Sequence, residues 1–198
     1  MSKSSQWLLL TGLGVIIISP DSLLIRLVNI SDFSLIFYRS YLQAVPLFLF
    51  CLFIYRRNTL SAFLAIGIPG IVYALLFATT HIAFVYSIQH TAVSNTLVII
   101  AGAPIFSAIF SIIFLNEKPS FFTWLIIFIA LASMFIIGWG SYTTSGIFGD
   151  FMAIICAIAM GSGVVLARYF KKIDLVPACF VGCIIAGLYT LPFEIDFN

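Results

Sequence analysis

Long apolar runs follow one another along this 198-residue chain and are separated only by short polar segments. Of its residues, 63% are hydrophobic and 8% are charged, whereas soluble domains average roughly 45–50% and about 25%. Hydrocarbon offers no partner to an unpaired backbone group, so segments that span a bilayer must be helices or closed barrels. The runs are continuous and lack the alternating polarity of barrel strands. The sequence therefore predicts an all-α integral membrane protein.

The polar segments divide the chain into seven predicted transmembrane helices, at about residues 7–28, 33–55, 62–88, 92–115, 121–140, 148–167 and 175–193. Each span is near the roughly 20 residues that a helix needs to cross a bilayer. No small-residue cleavage site follows the apolar run that begins at Trp7. We therefore interpret this run as an uncleaved first membrane helix and not as a signal peptide.

The positions of the cationic residues predict the orientation of the chain, because cytoplasmic loops carry an excess of Lys and Arg. With the N-terminus inside, seven of the nine cationic residues fall on the cytoplasmic side, namely Lys3, Arg56, Arg57, Lys118, Arg168, Lys171 and Lys172. The reverse orientation would place all of these outside. We therefore expect a multi-pass protein of the cell membrane (the inner membrane in a bacterium) with a cytoplasmic N-terminus.

A weak internal repeat links the first two predicted helices to the last two. A shift of 142 residues places Arg26 over Arg168 and Asp32 over Asp174. The two copies are five predicted spans apart, and because five is odd the second copy enters the membrane from the opposite side. This is the geometry of an inverted-topology repeat, which many transporters contain.

The repeat predicts a helical bundle of two inverted five-helix units. Residues 1–142 would form the first unit, and residues 143–198 would form the first two helices of a second, truncated unit. The chain would then be part of a longer polypeptide or would pair with a second chain, for example as a homodimer.

Three segments of the sequence resemble EamA-type members of the drug/metabolite transporter superfamily. AFVYSIQHTAVSNTLVIIAGAPIFSAIFSIIFLNEKPS is similar to the end of the first repeat in that family, with Pro104 in a small-residue helix and Glu117 in the turn that follows. FYRSYLQ and GIFGDFMAIICAIAMGSGVVLAR are similar to the corresponding segments of the second and sixth helices. The resemblance implies a ten-helix fold of two inverted repeats that moves small metabolites by alternating access.

The segment SPDSLLIRL places a proline and a carboxylate inside the first apolar run. Asp21 and Arg39 each lie nine residues from Ile30 in the turn between the first two spans, so both would lie about 10 Å deep and could meet. An unpaired charge at the bilayer centre costs ~2.5–3.5 kcal/mol on insertion scales. Pro20 should kink or break the helix just before Asp21. The pair could bind a substrate or a proton, could lock two helices together, or could leave Asp21 facing water.

His81 is predicted at nearly the same depth in the third span. Together with Asp21 and Arg39 it could bind an anionic or zwitterionic solute or relay a proton, or it could be a structural histidine that hydrogen-bonds a neighbouring hydroxyl. Gly102 and Pro104 indicate close helix packing in the fourth span, and Pro104 could also open that span toward a central cavity. We expect no metal site and no cofactor.

These residues favour a secondary transporter of a small organic solute. The sequence lacks a Walker A motif and the HExxH and GxSxG signatures, so neither ATP-driven transport nor enzymatic activity is expected. The net charge of +2 without a basic cluster gives no indication of nucleic-acid binding. The alternative is an accessory or regulatory membrane protein that pairs with a full-length transporter, or an inactive fragment.

Overall fold

The computed structural model describes Gly12, Gly14 and residues 20–28, 30–117, 119–139, 146–171 and 174–193. The helices within these ranges are α1 (Asp21–Leu27), α2 (Asp32–Tyr55), α3 (Thr59–Leu64), α4 (Gly67–His90), α5 (Val93–Ile100), α6 (Ala103–Leu115), α7 (Phe121–Trp139), α8 (Ile147–Tyr169) and α9 (Leu175–Thr190), with a 3₁₀ turn at Arg56–Asn58. No strand occurs in this part of the chain. The expectation of an all-α protein is confirmed.

Four helical segments are long and apolar enough to cross a membrane, namely Asp32–Leu64, Gly67–His90, Val93–Leu115 and Ile147–Tyr169, and α9 is a shorter apolar helix. These segments support the expectation of a multi-pass membrane protein. Most of the predicted first span, 7–28, lies outside the described residues. The count of seven spans and the inverted repeat stay predictions.

The predicted span 92–115 consists of two helices joined by a tight turn. Gly102 donates its backbone N–H to the carbonyl of Ile99 at 2.9 Å, and Ala101 donates to Leu97 at 3.0 Å. Pro104 lies in the first turn of α6. Because proline has no N–H and its ring clashes with the carbonyl four residues earlier, α5 cannot continue through it and ends at Ile100.

Helix α8 lies at the centre of the described bundle and packs against α4, α5 and α6, while α9 packs against α2 and α4. Small residues allow these close approaches. A Cβ on Gly161 of α8 would lie 2.9 Å from the carbonyl oxygen of Ala103, and one on Gly182 of α9 would lie 2.8 Å from that of Ala74. Close backbone contact through small residues is a common way for helices to associate in membranes.

The two ends of the bundle are named here by residues in their connections. The Ser31 end is where residues 28–31 join α1 to α2, and the Asp174 end is where residues 170–174 join α8 to α9. Ser31 accepts the N–H of Ser34 at 3.3 Å and so caps α2.

Polar contacts hold the helices together at the Ser31 end. His90 Nε2 at the end of α4 lies 2.7 Å from the Asp32 carboxylate of α2. The Thr91 hydroxyl donates to Asp150 of α8 at 2.8 Å. These contacts join the α4–α5 turn to the starts of α2 and α8.

Two further contacts lie at the Asp174 end. The Tyr55 hydroxyl of α2 donates to the Asp174 carboxylate, which also accepts the N–H of Val176 and caps α9. Arg168 Nη2 of α8 donates to Glu117 Oε1 at 2.9 Å, and both side chains are about half exposed.

Candidate functional site

An ion pair between Asp21 and Arg39 connects α1 to α2. Arg39 Nη2 donates to Asp21 Oδ2 at 2.6 Å, and the two side chains are 23% (Arg39) and 34% (Asp21) exposed. The prediction that equal distances from the turn would bring the two residues together agrees with this geometry. Both side chains are therefore only partly buried.

Pro20 directly precedes the helix that carries Asp21. Pro20 is the N-cap of α1, and its carbonyl accepts the N–H of Leu24 at 2.9 Å. Asp21 is therefore the first residue of α1, where the partial positive charge of a helix N-terminus favours a carboxylate.

Phe84 of α4 holds the other partner of the ion pair. The guanidinium carbon of Arg39 lies 4.9 Å from the centroid of the Phe84 ring, a cation–π contact. Arginine has five N–H donors, and among the described residues Asp21 alone accepts a hydrogen bond from this guanidinium. Within the described ranges, Asp21 therefore uses only one nitrogen of the Arg39 guanidinium.

The ion pair lies on the wall of a cavity of about 1330 Å³, formed by α1, α2, α4, α5 and α8. Most of the wall is apolar and includes Phe77, Phe84, Leu97 and Met160. The polar or charged residues of the wall include Asp21, Tyr38, Arg39, Gln43, Thr80 and His81. A few polar groups in a mostly apolar concave site are typical of small-molecule sites.

His81 lies in the same cavity and is 7% exposed. Its ring centroid is 4.9 Å from that of Phe77. The adjacent hydroxyls of Thr79 and Thr80 donate to carbonyls of their own helix at 2.9 Å, and no residue in the described ranges hydrogen-bonds the imidazole. The ring is therefore a polar group in the cavity wall without a partner from the described chain.

Pro104 lines a second, smaller cleft. Gly102 is not among the residues that line the cavity or the cleft. Pro104 contributes with Ser107, Glu117 and Arg168 to a cleft of about 590 Å³ toward the Asp174 end. Gly102 is the N-cap of α6, and a Cβ there would lie 3.0 Å from the carbonyl oxygen of Ile99. The structure thus groups Pro20, Asp21, Arg39 and His81 in one cavity and places Gly102 and Pro104 apart from it.

Sequence reasoning used Arg26 to align the internal repeat and missed its role at the end of α4. Arg26 Nη1 donates to the carbonyl oxygens of Ile88 at 2.6 Å and Gln89 at 3.1 Å. A cation at a helix C-terminus satisfies carbonyls that have no intrahelical donor. Arg26 therefore ties α1 to the end of α4, and a basic residue in the last turn of a short helix is the only signal the sequence offers for it.

Comparison with known proteins gives one family. A family model described as the EamA-like transporter family matches residues 5–139, which include Asp21, Arg39 and His81. No curated protein and no solved structure gives a significant match to the chain.

Proposed function

The chain belongs to the EamA-like transporter family, and from that premise we propose that it moves a small organic solute across the cell membrane by alternating access. The family is one of membrane transporters for small solutes and is generally non-enzymatic. The membrane-length apolar helices agree with this membership.

The observation that carries the proposal is the cavity that holds the Asp21–Arg39 ion pair. Apart from α1 and its flanking residues, its wall comes from helices of membrane-length segments. Ionisable groups within membrane segments are costly and by default indicate a functional site. Its volume of about 1330 Å³ exceeds the roughly 300–1,000 Å³ of typical ligand pockets, so it can hold a small solute together with water.

The cavity and the cleft together suggest a path for the solute through the bundle. The larger one extends from Val28 and Ile30 at the Ser31 end to Gln43 and Ile100 in the middle of the bundle. The cleft beside Pro104 reaches toward the opposite end. We assign the larger cavity to a state open at the Ser31 end and the cleft to the path that opens in the other state. We place the barrier between the two at the close contact of α6 with α8 around Gly161.

Orientation and domain limits belong to the same proposal. With the N-terminus in the cytoplasm, the Ser31 end faces outward and the Asp174 end inward. Residues 1–142 would form one repeat and residues 143–198 would begin the second. The family match favours transport over the accessory role.

Reconstitution into proteoliposomes tests the proposal. Uptake of radiolabelled hippurate, phenylalanine and tetraethylammonium, which differ in charge and cross lipid slowly, is compared with uptake into protein-free liposomes. We expect uptake of at least one solute above that background, and Asp21→Asn should abolish it or uncouple it from the proton gradient. Asp32→Asn is the matched control, because Asp32 is also a paired carboxylate but does not line the cavity.

Two results would contradict the proposal. Background uptake of all three solutes would mean that the chain does not transport this class of molecule. Flux that is unchanged in Asp21→Asn would assign the ion pair to a structural role.

A further inference from the structure

The carboxylate of Asp21 binds the guanidinium of Arg39 in the same way as the carboxylate of a solute would. One oxygen of Asp21 accepts from Nη2 of Arg39, inside a cavity large enough for a small organic molecule. A guanidinium presents a planar fork that matches a carboxylate with two parallel hydrogen bonds. Asp21 uses only part of that fork, so an incoming carboxylate can compete for it.

Arg39 has a second contact besides the ion pair. It lies in the 24-residue helix α2, which packs against α9 and α4, and its guanidinium also contacts the ring of Phe84. Within the described ranges the Asp21 carboxylate hydrogen-bonds Arg39 alone. In the displacement argued below, Asp21 therefore gives way and Arg39 keeps its place.

The chemistry of the two groups decides which kind of solute can open the pair. A cationic solute on Asp21 would leave Arg39 unpaired, and an arginine cannot lose its proton in a protein. An anionic solute on Arg39 would leave Asp21 unpaired, and a carboxylate in apolar surroundings can avoid the cost of its charge by taking up a proton. The arrangement therefore favours anions.

The residues in the cavity wall indicate which chemical groups the rest of the solute should have. Phe77, Phe84 and Met160 provide apolar and aromatic surface, which matches an apolar body. The imidazole of His81 has no partner among the described residues, so it can hydrogen-bond a further polar group of the solute.

Building on the proposed transport function, we propose that the solute is an organic carboxylate with an apolar body, that it displaces Asp21 from Arg39, and that Asp21 then takes up one proton. The solute brings one negative charge and the proton one positive charge, so the net charge of the site does not change. The O–H bond formed on Asp21 replaces an O–H bond of a hydronium ion, which leaves as neutral water on the side to which the cavity is open.

Binding to the purified full chain in nanodiscs tests the inference. The probes are hippurate and hippuramide, which share an aromatic body and differ by a carboxylate against a carboxamide. Titration calorimetry in two buffers of different ionisation enthalpy gives both the affinity and the number of protons taken up. We expect hippurate to bind at least about tenfold more tightly than hippuramide, with uptake of about one proton.

Variants distinguish displacement of Asp21 by the solute from a purely structural role of the Asp21–Arg39 ion pair. Asp21→Asn removes the internal competitor and should tighten hippurate binding by about three- to tenfold, since a partly exposed ion pair is of modest strength, and should abolish the proton uptake. Asp32→Asn should change neither quantity. Arg39→Gln should remove the preference for hippurate over hippuramide.

A charge exchange covers the case in which a single variant does not fold. Asp21→Lys combined with Arg39→Asp keeps an ion pair between α1 and α2 but moves the negative charge to α2. Hippurate should then lose its advantage over hippuramide. A purely structural pair predicts equal probe binding in this double variant and in the original chain.

The outcomes distinguish this inference from the proposed function. If Asp21→Asn weakens hippurate binding or leaves it unchanged, or if binding takes up no proton, displacement is wrong even when proteoliposomes show flux. If the binding results are as expected but no solute is transported, the chemistry of the site stands and the proposed function fails.

Discussion

Replacing Gly161 by alanine tests how closely α6 and α8 approach each other. A Cβ at this position would lie 2.9 Å from the carbonyl oxygen of Ala103, the Cβ of Phe106 and the backbone nitrogen of Ser107. Two of these three atoms belong to the backbone and cannot swing aside. Because favourable contacts between carbon atoms lie near 3.5–4.0 Å, the helices would have to part by about half an ångström or more. Overpacking of this kind costs about 1–3 kcal/mol.

Gly163 offers a matched control on the same helix. A Cβ there would meet only Cε2 of Tyr73, at an ordinary 3.6 Å. Both glycine-to-alanine changes gain a similar helix propensity, about 1 kcal/mol, so the difference between the two variants isolates crowding against α6. Gly161→Ala should therefore be less stable than Gly163→Ala by about 1–3 kcal/mol.

Thermal unfolding of both purified variants in one detergent measures this difference. For chains of this size, 1 kcal/mol shifts the midpoint by roughly 2–4 °C, so we expect Gly161→Ala to unfold about 2–12 °C below Gly163→Ala. Equal midpoints, or a higher midpoint for Gly161→Ala, would show that the two backbones are not in contact. The barrier that we propose between the two cavities would then need another explanation.

Two further predictions concern contacts at the two ends of the bundle. In a double-mutant cycle of Glu117→Gln and Arg168→Gln, unfolding measurements should give a coupling of about 0.2–1 kcal/mol that shrinks at high salt, because both side chains are about half exposed; a coupling above about 2 kcal/mol would contradict this. Arg26→Met keeps the stem but removes the donors to the α4 carbonyls, so hydrogen–deuterium exchange in residues 20–28 should accelerate. The control Arg57→Met, in the exposed turn after α2, should leave that exchange unchanged, and equal exchange in both variants would show that Arg26 does not hold α1.

The length of the apolar runs was sufficient to predict the helices, because only a helix can satisfy a continuous apolar segment in hydrocarbon. The meeting of Asp21 and Arg39 was also predictable, because two residues equally far from a turn lie at the same depth. Depth does not specify how two helices are rotated, however. The contact of Arg39 with Phe84 depends on the rotation of α4 relative to α2, for which the separate periodicities of the two helices contain no information.

Pro104 also has one property that the sequence predicts and one that depends on how the helices pack. Its missing N–H predicts a local break, and the helix does break just before it. Which cavity the residue faces depends on the side of α6 that α8 covers, and this is set by the glycine contact at Gly161. Local chemistry was therefore predictable and the assignment to a cavity was not.

The two polar attachments of α1 explain how solute binding could change the shape of the site. Asp21 at the start of the helix holds Arg39, and Arg26 near its end holds the carbonyls of α4. The two attachment points are about 7.5 Å apart along the axis at 1.5 Å per residue. In the proposed displacement, a carboxylate that binds Arg39 would release the first attachment and leave the second. Since α1 forms one wall of the larger cavity, a shift of the released start of α1 would change access to the cavity. The proposal thus links solute binding to opening through one short segment of the chain.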